Sequence, residues 1–231
     1  MNILALETST EGCSVSLGDG LTQPVSVFEM APRQHTRLLP VMMNEVLAES
    51  GILRTEINYI AYGNGPGAFT GVRIAAATAQ GIAMGLNIPI IPISTLAILA
   101  QTGFDFYDLS AARVAIDARM GEIYWADYQM NSNSLASLQG EEKLTKVEHL
   151  DSLELEPVNG FGSGWHLLSS MPDNNDIVID PELLPKASSM IKLAARAVLD
   201  GRFFSADQID INYLRNKVAE KPRQSKSKSQ P

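Results

Sequence analysis

Three groups of residues could do chemistry. The first is YGNGPGAFTGVRIAAATAQG at 62–81, where Gly63, Gly65 and Gly67 lead through Thr70 and Arg73 into an alanine-rich run. A glycine loop that opens a helix presents backbone N–H groups to an anion. The second is ETSTEG at 7–12, which sets the hydroxyls of Thr8 and Ser9 beside an acid. The third is the set Glu7, Asp117 and Glu122, each at the end or start of a strand-like run. Paired carboxylates facing one cleft could hold magnesium or act as a base, whereas an acid at a strand end also serves as a turn acceptor.

Phosphate chemistry needs more than glycines. A P-loop carries a lysine beside them, and no lysine lies between 59 and 103. Gly63-x-Gly65-x-x-Ala68 meets a relaxed dinucleotide fingerprint, but where a ribose-binding acid belongs, ~20 residues on, the chain reads MGLNIPIIPIS. Two readings stay open. In one, Thr8, Ser9, Gly65, Gly67, Thr70 and Arg73 form an anion or nucleotide site. In the other, the glycines shape a tight turn, and Ala75, Ala76, Ala79, Gly81 and Gly85 let another helix come close.

Other catalytic signatures are thin. His35, His149 and His166 are far apart and form no HxxxH or HExxH pair, so no metal site is expected. GSGW at 162–165 lacks the GxSxG spacing and reads as a turn between lobes or beneath a strand. Cys13 is the sole cysteine, which excludes an internal disulfide, and its apolar flanks favour a buried thiol.

The elements that must position these residues follow from patterning. With 231 residues, 45% of them hydrophobic, the chain can build one large domain or two small ones. Apolar runs at 2–6, 13–17 and 24–30 predict a three-strand meander. A helix is expected from Thr36 as N-cap to a stop at Gly51, with more apolar residues (Leu38, Leu39, Met42, Met43, Val46, Leu47) than one face needs. A strand at 57–62, a helix at 72–86, a strand at 88–93 and a helix at 95–101 capped by Ser94 come next. The polar and aromatic stretch 104–110 reads as a crossing between lobes. RVAID at 113–117 then repeats ILALE at 3–7, each followed by a glycine and a second strand. NSNSLASLQGEE at 131–142 is expected to be a loop, 147–153 a short helix, 157–161 and 177–179 strands, and 184–199 a helix. The chain thus divides into a first lobe at 1–105, a smaller second lobe at 106–216 and a disordered basic tail at 217–231.

Charge is uneven. Residues 215–231 carry net +5 in a chain of net −8, which leaves −13 on the first 214. Such a body repels phosphate, so it is a poor primary nucleic-acid surface. The tail reads as a solubilising terminus or a weak RNA contact. No apolar run nears the ~20 residues of a membrane span, and residues 1–10 read as a strand rather than a signal peptide. A cytoplasmic protein is expected.

The two-lobed order, opened by ALETSTEGCSVSL and AIDARMGEIYWADY, resembles the actin, sugar-kinase and heat-shock-chaperone ATPase superfamily. It implies an α/β fold of two actin-like (ribonuclease H-like) lobes, each a mixed sheet flanked by helices, the second reduced. Within that superfamily, LALETST, PRQHTRLLPVMMNEVL, AYGNGPGAFTGVRIAAATAQGIA, ISTLAILAQ, AIDARMGEIYWADY and YLRN are similar to the TsaB (YeaZ) family, from residue 1 to about 216. The resemblance implies a non-catalytic partner of the catalytic paralogue TsaD and the ATPase TsaE, which transfer threonylcarbamoyl to the adenosine beside the anticodon of tRNAs reading codons that begin with A. It implies contact with tRNA through the complex, a homodimer when TsaD is absent, no tightly bound cofactor, and ATP or ADP at the complex interface. TsaD carries an HxxxH metal pair where this chain reads STLAILAQ, and the superfamily's first phosphate loop opens with Asp where this chain has Glu7. The family's pairing surface maps to the helices at 35–47 and 72–86: His35, Leu38, Leu39, Met42, Val46, Arg73, Ile74, Ala75, Thr78, Ala79 and Ile82. A large charged residue at Ala75 or Ala79 is then expected to abolish pairing and leave the monomer folded. An ATPase or small-molecule kinase of the same fold, a peptidase and a direct RNA binder are the alternatives.

Overall fold

The computed structural model describes residues 1–149, 158–168 and 177–215. The basic tail and most of the helix expected at 147–153 lie outside these; of that helix, a 3₁₀ turn at Val147–His149 is described. Among the described residues ten strands make two five-stranded sheets. In the first, β1 (Ile3–Glu7), β2 (Gly12–Gly18) and β3 (Val25–Met30) form the expected antiparallel meander, and β4 (Tyr59–Gly63) and β5 (Ile90–Ile93) add in parallel, giving the order β3-β2-β1-β4-β5. The second sheet holds β6 (Ala111–Arg119), β7 (Glu122–Met130), β8 (Ala136–Lys146), β9 (Gly160–Phe161) and β10 (Ile179–Asp180) in the order β10-β9-β6-β7-β8. Its antiparallel and parallel pairings repeat those of the first. β1 and β6 occupy the same place in their sheets, so the similarity of ILALE to RVAID reflects a repeat of topology.

The central strands are apolar throughout because both faces are covered. On one face Leu4, Leu6, Ile60 and Tyr62 meet α1 (His35–Ser50) and α2 (Phe69–Leu86). On the other, Ile3, Ala5, Ala61 and Ile91 meet α4 (Ala187–Leu199) and Ile98 of α3 (Thr95–Tyr107). Leu96, Leu99 and Phe104 of α3 pack instead on Ala112, Val114 and Phe161 of the second sheet. A satellite core of Ala115, Ile123, Trp125 and Trp165 covers its far side.

Four features depart from the sequence expectation. α1 begins at His35 after Gln34, which provides no side-chain cap, so Thr36 lies inside the helix; Gly51 ends it at φ 68° as expected. α3 is capped by Ser94, which accepts N–H bonds from Leu96 and Ala97, but it continues to Tyr107 because Phe104 is buried against the second sheet, so the crossing comes later. The expected loop at 131–142 holds only over 131–135; from Ala136 on β8 replaces it, since pairing with β7 satisfies its polar backbone. Finally α4, placed in the second lobe by sequence order, packs on the first sheet. The chain beyond it stays there: Phe204 pairs with Ile90 through N–H bonds of 2.8 and 2.9 Å, covering the β5 edge.

Candidate functional site

A cleft of about 1230 Å³ separates the two sheets. Its walls are the turn after β1, the N-terminal ends of α1 and α2, the glycine loop, the β6–β7 turn and Asn212, Tyr213 and Arg215 at the end of the strap at 202–215. This is where a phosphate would be sought.

The first turn is closed by the chain's own atoms. Thr8 and Ser9 are fully buried. The Thr8 hydroxyl donates to the Gly71 carbonyl at 2.7 Å, and the Ser9 carbonyl accepts from Ala68 N–H at 2.7 Å. Ser9 Oγ donates to Glu7 Oε1 and accepts from Thr95 Oγ1 at 2.9 Å. The glycines make this approach possible. A Cβ at Gly67 would lie 2.4 Å from the Ser9 carbonyl oxygen, and one at Gly71 would lie 2.0 Å from that of Thr8. Of the anion candidates, the hydroxyls of Thr8 and Ser9 therefore bond inward rather than into the cleft. Gly65 takes φ +96° in the loop, as glycine permits, and Thr70 is exposed on the cleft wall. Arg73 lies flat on Phe69, 3.2 Å from its ring centroid, with Tyr213 at 5.2 Å, and donates to the Phe69 carbonyl.

The acids do not converge. Glu7 is fully buried; Oε1 accepts the Ser9 N–H at 2.6 Å, and Oε2 has no partner. Burial pushes its carboxyl up to about 7, against the opposing effect of bonds from Ser9 and Thr8. Asp117 accepts the Arg119 N–H at 2.7 Å, the turn-acceptor role, and its own N–H donates to Ser163 Oγ. Glu122 pairs with Arg215. Among the described residues no group of three His, Cys, Asp or Glu side chains is gathered closely enough for a metal ion.

The docking candidates split by burial. Leu39, Met42, Val46, Ala75 and Ala79 are at most 2% exposed and pack into the first core. They cannot also form an outer surface, because a helix presents each side chain to one face only. His35 is also buried, its Nε2–H donating to the Gly12 carbonyl at 3.2 Å. Leu38, Arg73, Ile74, Thr78 and Ile82 are half-buried. The outward face adds residues that patterning missed: Val41 on α1, and Phe69, Ala77, Gly81 and Met84 on α2. A charged substitution at Ala75 or Ala79 therefore attacks the core, not an interface.

Two further groups escaped sequence reasoning. Glu142, on the unforeseen β8, accepts bonds from Ser94, from Tyr128 at 2.8 Å and from Asn212 at 2.7 Å, joining both lobes and the strap. Burial and the Glu142 charge hold the Tyr128 phenol well above its ordinary range. Arg215 ends the strap on the Ala118 carbonyl and Glu122. Only long-range contacts reveal either group.

Two lobes of repeated topology around a cleft define a protein of the actin-like α/β class. The family model for TsaD: tRNA N6-adenosine threonylcarbamoyltransferase matches residues 27–161. The chain is 38% identical over 226 residues to the tRNA threonylcarbamoyladenosine biosynthesis protein TsaB of Escherichia coli (strain K12), covering 95% of this chain and 96% of that protein. The Haemophilus influenzae TsaB is 36% identical, with 94% and 95% covered. A Pseudomonas aeruginosa protein described as similar to peptidase YEAZ superposes with TM-score 0.84 at 37% identity, covering 93% of this chain and 99% of that one. YeaZ from the same organism gives 0.82 at 36%, with 92% and 100% covered. This chain belongs to the TsaB (YeaZ) family.

Proposed function

We propose that this chain acts in forming threonylcarbamoyladenosine on tRNA, as a non-catalytic subunit that docks to the catalytic paralogue TsaD and works with TsaE. The observation that carries the reading is the closed first turn. Where a nucleotide enzyme of this fold needs free hydroxyls and an acid facing the cleft, Thr8 and Ser9 are bonded inward and Glu7 is buried beneath them. The relatives named above supply the pathway.

The docking surface is the outer face of α1 and α2, revised from the sequence expectation to Leu38, Val41, Ile74, Ala77, Thr78, Gly81, Ile82 and Met84. Small residues at Ala77 and Gly81 permit close helix approach, and about 800 Å² per partner makes a stable interface. A second copy of this chain occupies the face when TsaD is absent. No cofactor is held tightly, any ATP or ADP binds at the interface of the complex, and tRNA is met through the complex in the cytoplasm. No helix among the described residues is long and apolar enough to cross a membrane. The test is co-elution with TsaD: Ala77→Glu should abolish it with the fold intact, and undiminished pairing would overturn the surface.

A further inference from the structure

Glu7 is a buried carboxyl for which pairing and chemistry give no use, and its position is mechanical. Oε2 lies under Gly63, the residue that ends β4 and opens the glycine loop; a Cβ there would sit 2.0 Å away. Oε1 is held by the N–H and hydroxyl of Ser9. Ser9 in turn accepts the Ala68 N–H just before α2, and Thr8 donates to Gly71 in the first turn of α2. The carboxyl is therefore tied, through two residues and two 2.7 Å bonds, to the start of the helix whose outer face is exposed.

Among the described residues the surroundings supply no countercharge. On β2, Ser14 stands opposite Glu7 in register, and Cys13 is a buried thiol that feels its charge. From α3, Thr95 reaches it only through Ser9 Oγ. From α1, the side chain of His35 bonds to Gly12. No cation is among the influences on its ionisation, which are burial and the bonds from Ser9 and Thr8. A charge on Oε2 would be fully buried with no donor among the described residues, and it can be relieved by the turn opening.

We propose that Glu7 is a proton-controlled latch: as a neutral acid it seats the first turn against the glycine loop and α2, and its ionisation loosens the N-terminal end of α2. The sign follows from linkage. The closed form holds its proton up to about pH 7, and an opened turn exposes an ordinary carboxyl near 4.5. Opening therefore grows as pH rises between these values and levels off above them. From pH 6 to 8 the two titrations together raise the open fraction about tenfold.

The test is hydrogen exchange of residues 63–71 in the full chain at pH 6 and pH 8, corrected for intrinsic exchange. Wild type should lose about tenfold in protection there, with residues 63–71 less protected than α4 at both pH values, and Glu7→Gln should show no such pH dependence. Protection that is flat within twofold in wild type, or an equal pH response in Glu7→Gln, overturns the latch. If Glu7→Gln does not fold, carboxyl carbon NMR of wild type decides: a Glu7 midpoint near 7 supports the proposal, and one near 4.5 overturns it. These readouts need no partner, so they stand or fall separately from TsaD pairing.

Discussion

Gly71→Ala is the substitution that most sharply separates a packed turn from an open phosphate loop. The new methyl would lie 2.0 Å from the Thr8 carbonyl oxygen and 3.0 Å from its carbon, against backbone that has no rotamer to change. The start of α2 must move by more than about 1 Å, and that movement breaks the bonds Thr8 Oγ1 to Gly71 O and Ala68 N to Ser9 O, both 2.7 Å. Each leaves a buried polar group worth ~1–3 kcal/mol, and overpacking adds a similar amount. The expected loss is about 3–9 kcal/mol, comparable to the ~5–15 kcal/mol of a typical domain. Urea unfolding followed by circular dichroism reads it directly. Gly81→Ala and Gly85→Ala are the controls: nothing lies within 4 Å of either added methyl, so each should stabilise α2 by ~0.5–1 kcal/mol. If Gly71→Ala falls within about 1 kcal/mol of wild type, the turn is not packed as described and the case against an open phosphate site fails.

Further outcomes follow from burial. Ala79→Glu should unfold the chain, because it places an unpaired charge in a fully buried position, whereas Ala77→Glu on the outer face should leave the urea midpoint unchanged. Burial first, then the charges of Glu7 and Glu29, push the Cys13 thiol up to about 12, so a thiol reagent at pH 8 should label it only after unfolding. Arg215→Ala removes the bonds to Glu122 and Ala118 and should cost about 1–2 kcal/mol, with faster proteolysis near Met120.

Local signals in the sequence were sufficient where a residue's role is set by its neighbours. The meander, the Gly51 stop, the Ser94 cap and the repeat of ILALE in RVAID all follow from periodicity and turn chemistry. Contacts distant along the chain were out of reach. β8 is polar and alternates weakly, so only β7 makes it a strand. α3 and α4 show apolar faces but not which sheet those faces meet. The same limit blurred the site. Alanines spaced along α2 announce close packing, yet the sequence does not say whether the neighbour is a partner or the chain's own β-sheet; Ala75 and Ala79 face the sheet, and Ala77 and Gly81 face outward. The bonds of Thr8 to Gly71 and of Thr95 to Ser9 join residues more than sixty positions apart.

The most direct measurement is threonylcarbamoyladenosine formed on tRNA by purified TsaD, TsaE and threonylcarbamoyl-adenylate, with this chain added as wild type or as Ala77→Glu. Wild type should restore modification, and the folded variant should fail both to restore it and to co-elute with TsaD. Full modification with Ala77→Glu, or without this chain at all, would contradict the account.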